Sequence, residues 1–215
     1  MHFPFTTDQF LNVFKTYNEN IFPLQVVFYL TAFFIVFSLF RTAKIRGKII
    51  SSLLSFYWIW IGIVYQMIFF SQINRAAYTF GMLFIAQGII FFIYGSIRGK
   101  MVFQFNRSIN NYAGILFILY ALIIYPVLGY IFGHRYPYSP TFGLPCPTTI
   151  FTFGVLLFLK NKIPVWLLII PFLWSIIGFG AALNLTIYED FGLLVAGLSG
   201  LYLLIMHNRK VLYSV

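Results

Sequence analysis

The sequence predicts an all-α fold, a polytopic membrane helix bundle of seven transmembrane helices. Three observations lead there. Hydrophobic residues make up 61% of the 215 residues and charged residues only 8%, whereas a soluble domain carries about 25% charge. The mean hydropathy is +0.90. Seven apolar stretches recur, six of them close to the roughly 20 residues needed to cross a hydrocarbon core of about 30 Å and the fifth short. This composition excludes a soluble enzyme, a nucleic-acid binder and a disordered chain.

The chain divides into an outer interfacial amphipathic segment, residues 1–22, and a single seven-helix domain, residues 23–215. The first residues lack the basic region and small-residue cleavage site of a signal peptide. Thr6 and Gln9 fit a capping box, with Phe10, Val13, Phe14 and Tyr17 following at helical spacing. A short helix over 6–19 lying on the outer interface is therefore expected. The spans are placed at Pro23–Phe40, Ile49–Ser71, Ala76–Ile97, Tyr112–Phe132, Gly143–Leu159, Ile163–Leu183 and Phe191–Met206.

Charge sets the orientation. Arg41, Lys44, Arg46 and Lys48 follow the first span, and Arg98, Lys100 and Arg107 the third. Lys160 and Lys162 follow the fifth, and Arg209 and Lys210 the seventh. Eleven of the fourteen basic residues thus fall on one side, while all four acids, Asp8, Glu19, Glu189 and Asp190, fall on the other. The positive-inside rule puts the N-terminus outside and the C-terminus in the cytoplasm, and an even number of spans would destroy this segregation. The net charge of +10 reflects membrane orientation on this reading.

The spans also read as a 3+1+3 internal repeat. Phe80-Gly81-Met82-Leu83 corresponds to Phe191-Gly192-Leu193-Leu194, Asn74 to Asn184, and Trp58 to Trp166. Such repeats are a transporter architecture. The first and fifth spans share little, and chance matching of apolar helices is the competing explanation.

No Asp, Glu, Lys, Arg or His lies inside the seven core spans, which argues against a proton-coupled pump with a midplane carboxylate and excludes a retinal Schiff base. The paired histidines of a b-type haem are missing. The many aromatics read as packing and interfacial belts. Gln25, Gln66 and Gln87 read as cross-helix hydrogen-bonding groups, with a ligand role for Gln66 as the alternative.

The stretch from Gly133 to Thr148 holds Pro137, Pro140, Pro145 and Pro147. A helix beginning no earlier than about Pro147 leaves Thr148–Leu159, about 18 Å at 1.5 Å per residue. Gly143–Pro147 is then expected to cover the remaining depth as non-helical backbone, which must be buried in protein or line a polar cavity. Arg135, Gln66 and Asn184 are the expected donors to its carbonyls. An outward cavity beneath this loop is expected, with His134, Tyr136, Cys146, Gln66, Glu189 and Asp190 as candidate ligand-binding residues.

The candidate catalytic residues are Cys146, His134 and Asp190: a thiol at a helix N-terminus, a base, and an acid to orient that base. The same residues also fit structural roles, as a small buried cysteine, a loop histidine and an N-cap. Soft-metal sites need more than one thiolate, and the chain has one cysteine, so neither a metal nor a cofactor is expected.

Several runs carry a resemblance. They are Phe5-Thr6-Thr7-Asp8-Gln9-Phe10, Tyr17-Asn18 with Pro23, Phe69-Phe70 with Ile73-Asn74 and Ala76-Ala77, Gly133-His134-Arg135-Tyr136-Pro137, Pro140 through Gly154, and Glu189-Asp190 with Gly192 through Gly197. Through almost its whole length the chain resembles an uncharacterised family of bacterial multi-pass membrane proteins known only by a domain-of-unknown-function label. The resemblance brings no activity, substrate or site residue with it. Asn184-Leu185-Thr186-Ile187-Tyr188 departs from the smaller, proline-containing turn that the resemblance implies.

Three functions follow as alternatives. The first is a membrane protein that binds or transports a small molecule or ion through the outer cavity. The second is an intramembrane enzyme using Cys146 and His134 on a lipid or acyl substrate, and the third a non-catalytic scaffold. The expected location is the cell (inner) membrane, with the lipid bilayer as partner and no nucleic acid.

Overall fold

The computed structural model describes residues 4–41 and 44–213. Among these the secondary structure is helical, apart from isolated bridges such as Phe103 with Leu159. The elements are α1 (Thr7–Ile21), α2 (Leu24–Leu39), α3 (Ile45–Gln72), α4 (Ala77–Ile97), α5 (Ile109–Ile131), α6 (Pro145–Leu156), α7 (Val165–Leu185) and α8 (Tyr188–Lys210). Five of them, α3, α4, α5, α7 and α8, are long and apolar enough to cross a membrane. Helices α1 and α2 make a sixth candidate if counted as one broken span, bent by 86°. Leu30, Phe37, Met82, Leu116, Val195 and Tyr202 are each more than half exposed on the outside of the bundle. A surface this apolar suits lipid, not water.

Helix α1 forms as its pattern predicts. The Gln9 N–H donates to Thr6 Oγ1 at 3.2 Å and the Thr6 N–H to Gln9 Oε1 at 2.9 Å, a complete capping box. Val13, Phe14, Tyr17 and Asn18 are its buried face. The bend into α2 is spanned by Gln25, whose amide donates to the Asn18 carbonyl at 2.8 Å.

The fifth expected span needs correction. Helix α6 has the twelve residues foreseen but begins at Pro145, so residues 145–147 are helical. Prolines fit the first turn because an N–H there has no intrahelical acceptor. Pro145 and Pro147 therefore remove two donors that burial would otherwise leave stranded. Every residue of α6 except Cys146 is buried. A helix apolar on all sides belongs in the middle of a bundle, and α6 packs against α5, α7 and α8. Its crossing with α5 runs over facing glycines: a Cβ on Gly114 would lie 2.7 Å from Gly154 O, and one on Gly154 2.9 Å from Gly114 O.

Protein closes both ends of this short helix. Past its C-terminus, the Asn111 amide donates to Leu157 O at 2.9 Å and the Gln104 N–H to Phe158 O at 2.9 Å. Before its N-terminus, Tyr17 OH donates to Gly143 O at 3.3 Å. Asn18 Nδ2 donates to Pro137 O at 2.7 Å and Ser139 O at 2.8 Å. These donors come from α1, not from Arg135, Gln66 or Asn184. The Arg135 guanidinium stacks on Tyr130, and the Asn184 amide bonds Gly180 O in its own helix. Gly143 adopts φ +100°, a left-handed turn that brings its backbone against the Phe28 ring.

Candidate functional site

Helix α6 starts at the wall of a cavity of about 270 Å³. It is enclosed by the apolar face of α1, the ends of α3 and α4 around the Asn74 turn, Tyr125 of α5, the start of α6, the second half of α7 and Asp190 at the start of α8. Its surface is overwhelmingly apolar, and polar groups gather where Tyr125, Cys146, Trp174 and Asp190 meet. The rim reaches the surface at Pro4, Ala76 and Ile177, which are exposed.

Irregular helix geometry places the tyrosines. Tyr65 lies in a π-helical stretch, Ile61–Phe69, and Tyr125 directly follows another, Tyr120–Ile124. The second stretch runs into Pro126, which has no N–H for an ordinary helical bond, and a wider turn absorbs the loss. Tyr125 is buried, and its hydroxyl donates to Asp190 Oδ1.

The acidic pair sits in the 3₁₀ turn Tyr188–Asp190 that opens α8, both residues buried. Thr186, just before it, ends α7 in the left-handed conformation (φ 58°). The two consecutive acids then diverge. Asp190 faces the cavity beside the Cys146 thiol. Glu189 turns to the loop, where its Oε1 lies 2.8 Å from His134 Nδ1. That hydrogen bond raises the His134 pKa above its ordinary value, outweighing the opposing effect of burial. Room for the Glu189 carboxylate exists because residue 129 is glycine: a Cβ there would come within 3.2 Å of Oε1. Glu189 Oε2 has no protein partner.

Of the sequence-derived candidates, Cys146 and Asp190 line the cavity, and Glu189 and His134 form a pair behind Asp190. Tyr136 is exposed on the loop and is not part of the wall. Gln66 is buried next to the lining residue Tyr65, with neither amide atom hydrogen-bonded, and does not line the cavity. The expected Cys–His–Asp relay is not assembled, because His134 is oriented by Glu189, and the group brought to Cys146 is the Asp190 carboxyl, not the imidazole. Gln25 and Gln87 do bond across elements, the latter from α4 to Leu167 O at 3.1 Å.

Tyr65, Tyr125, Trp174 and the α1 phenylalanines were not foreseen as lining. Trp174 carried a signal, since it falls in mid-span, away from the interfacial belts where tryptophan concentrates. Its indole N–H, near the Cys146 sulfur, has no hydrogen-bond partner among the described residues. Among the described residues no three His, Cys, Asp or Glu converge as a metal site.

Fold and site together define an all-helical protein with membrane-length apolar helices and a buried cavity, polar at one end. The chain belongs to the Family of unknown function (DUF6064), which it matches over residues 7–214. No curated protein and no solved structure matches it.

Proposed function

We propose that this is a multi-pass protein of the cell (inner) membrane that binds, and in a transport cycle releases, a small molecule in the cavity at the start of α6. The observation that carries the reading is the cavity itself: about 270 Å³ of apolar space with one polar end where Tyr125, Cys146, Trp174 and Asp190 meet from four helices. Pockets of this make, apolar with a few convergent polar groups, are the usual form of small-molecule sites. A short central helix with protein-buried irregular backbone at its ends is also the device transporters use to place a site within the membrane. The enzyme reading has less support, because the His134 imidazole expected to activate Cys146 is engaged by Glu189 instead.

The accompanying topology has seven crossings, α2 to α8, with α1 and the acidic turn outside and the C-terminus in the cytoplasm. The charge segregation supports it. The hairpins α3–α4 and α7–α8, each packed together, are the units that the 3+1+3 repeat would relate. In a Cys146→Ser background, thiols at positions 46 and 162 should label only from the cytoplasm, and thiols at 19 and 135 only from outside. Labelling of position 46 from outside sinks the orientation.

Cys146 is the only cysteine and lies in the cavity wall, so it reports occupancy directly. Iodobenzene should slow its modification by methyl methanethiosulfonate in nanodiscs. The protection should vanish in Ala181→Trp, which fills the cavity from a partly exposed position. Equal modification rates with and without the probe would refute the binding reading.

A further inference from the structure

The cavity combines a buried acid with aromatic walls. Asp190 is 5% exposed, and its neighbours there are the Tyr125 hydroxyl and the Cys146 thiol. Among the described residues no Lys, Arg or His lines the cavity. The ion pair found among the described residues, His134 with Glu189, uses the nearby imidazole for the other acid. A carboxylate held out of water without a counter-charge is strongly unfavourable, so such groups are paired or neutralised. The space in front of Asp190 is the place from which a counter-charge can come.

The walls favour the same ligand. Phe10, Phe14, Tyr65, Phe80, Tyr125 and Trp174 surround the space, and Phe80 meets Trp174 edge-on with ring centroids 5.5 Å apart. Aromatic faces attract cations through the ring quadrupole, more strongly when the site is desolvated. A bare metal ion does not suit walls in which, among the described residues, no three His, Cys, Asp or Glu converge, whereas an organic cation with an apolar body does.

We propose that the cavity is a receptor site for a small organic cation, a hydrophobic amine or quaternary ammonium, with Asp190 as its counter-ion and the aromatic rings as its walls. This rests on the reading that the cavity binds a small molecule, and specifies the charge and chemical class of the occupant.

The test compares benzyltrimethylammonium with neopentylbenzene, its uncharged carbon isostere. Binding of each is measured by calorimetry to the protein in nanodiscs, with empty nanodiscs subtracting bilayer partition. The cation should bind at least about tenfold more tightly than the isostere. Asp190→Asn should weaken the cation about 30-fold or more, as expected for removing one partner of a buried charge pair, and change the isostere less than threefold. Isostere binding by the variant also shows that its cavity is formed. Should Asp190→Asn not fold, Phe80→Leu serves instead, and should weaken the cation about 2- to 5-fold with the isostere unaffected. Equal binding of the two probes, or a cation affinity unchanged by Asp190→Asn, overturns the proposal while leaving the cavity-binding reading intact. Failure of both probes to bind the wild-type protein overturns both.

Discussion

Replacing Asn18 by leucine, which has a similar volume, should detach the loop before α6 from α1. The Asn18 side chain donates to Pro137 O and Ser139 O at 2.7 and 2.8 Å, and its Oδ1 accepts from Thr141 Oγ1 at 2.8 Å. Asn18 itself is fully buried. Each of these three bonds is worth about 1 kcal/mol net, and an orphaned buried group costs about 1–3 kcal/mol. Pro137, Ser139 and Thr141 are only half-buried, so water recovers part of the loss. The expected destabilisation is about 2–3 kcal/mol, from three bonds at about 1 kcal/mol each. The control is Asn20→Ala, on the same helix, where an exposed amide bonds back to Thr16 O; it should change stability by less than about 0.5 kcal/mol. The assay is reversible unfolding in mixed micelles titrated with denaturing detergent, followed by circular dichroism. If Asn18→Leu costs no more than Asn20→Ala, α1 does not hold the loop, and the account of how the cavity is covered is wrong.

Three further outcomes follow from the same geometry. Gly143→Ala should destabilise by at least about 1–3 kcal/mol from backbone strain alone. Its Cβ would also lie 2.3 Å from Phe28, so adding Phe28→Leu should relieve the collision but not the backbone part in a double-mutant cycle. Gly154→Leu should prevent α6 from packing on α5, read as loss of the monodisperse peak in size-exclusion chromatography; Gly180→Leu, where a Cβ meets nothing within 4 Å, should leave that peak in place. The His134–Glu189 pair should make stability pH-dependent. Because the folded protein holds the imidazole proton more tightly than the unfolded chain, the contribution is full below the ordinary histidine pKa and fades as pH rises through the raised folded value. His134→Gln should flatten the fall in melting temperature as pH rises above the ordinary histidine pKa of about 6.5; an unchanged profile would show that the pair contributes nothing.

Much of this architecture was legible in the sequence because its signals are local. The α1 capping box needs only Thr6 and Gln9, the long spans need only their apolar length, and the shortness of α6 follows from prolines close to a charged end. The exact start of α6 was not legible, because Pro145 and Pro147 both fit a first helical turn and spacing cannot choose between them. The loop's tether was hidden for another reason: Asn18 meets Pro137 across 119 residues of chain, and its position on α1 says only that it faces inward. Nor could composition tell which of Glu189 and Asp190 faces His134, since that depends on the left-handed turn at Thr186 and on the space at Gly129. The π-helical stretches that set Tyr65 and Tyr125 against the cavity look like ordinary apolar helix in sequence, apart from Pro126.

The central claim, that a small molecule occupies the space between α1, the start of α6 and the second half of α7, is tested most directly by crystals grown in lipidic mesophase and soaked with iodobenzene. An anomalous iodine peak should lie within van der Waals contact of Trp174 and Cys146, and disappear in Ala181→Trp. A cavity closed by the Trp174 and Phe80 side chains, with no iodine peak inside it, would contradict the account.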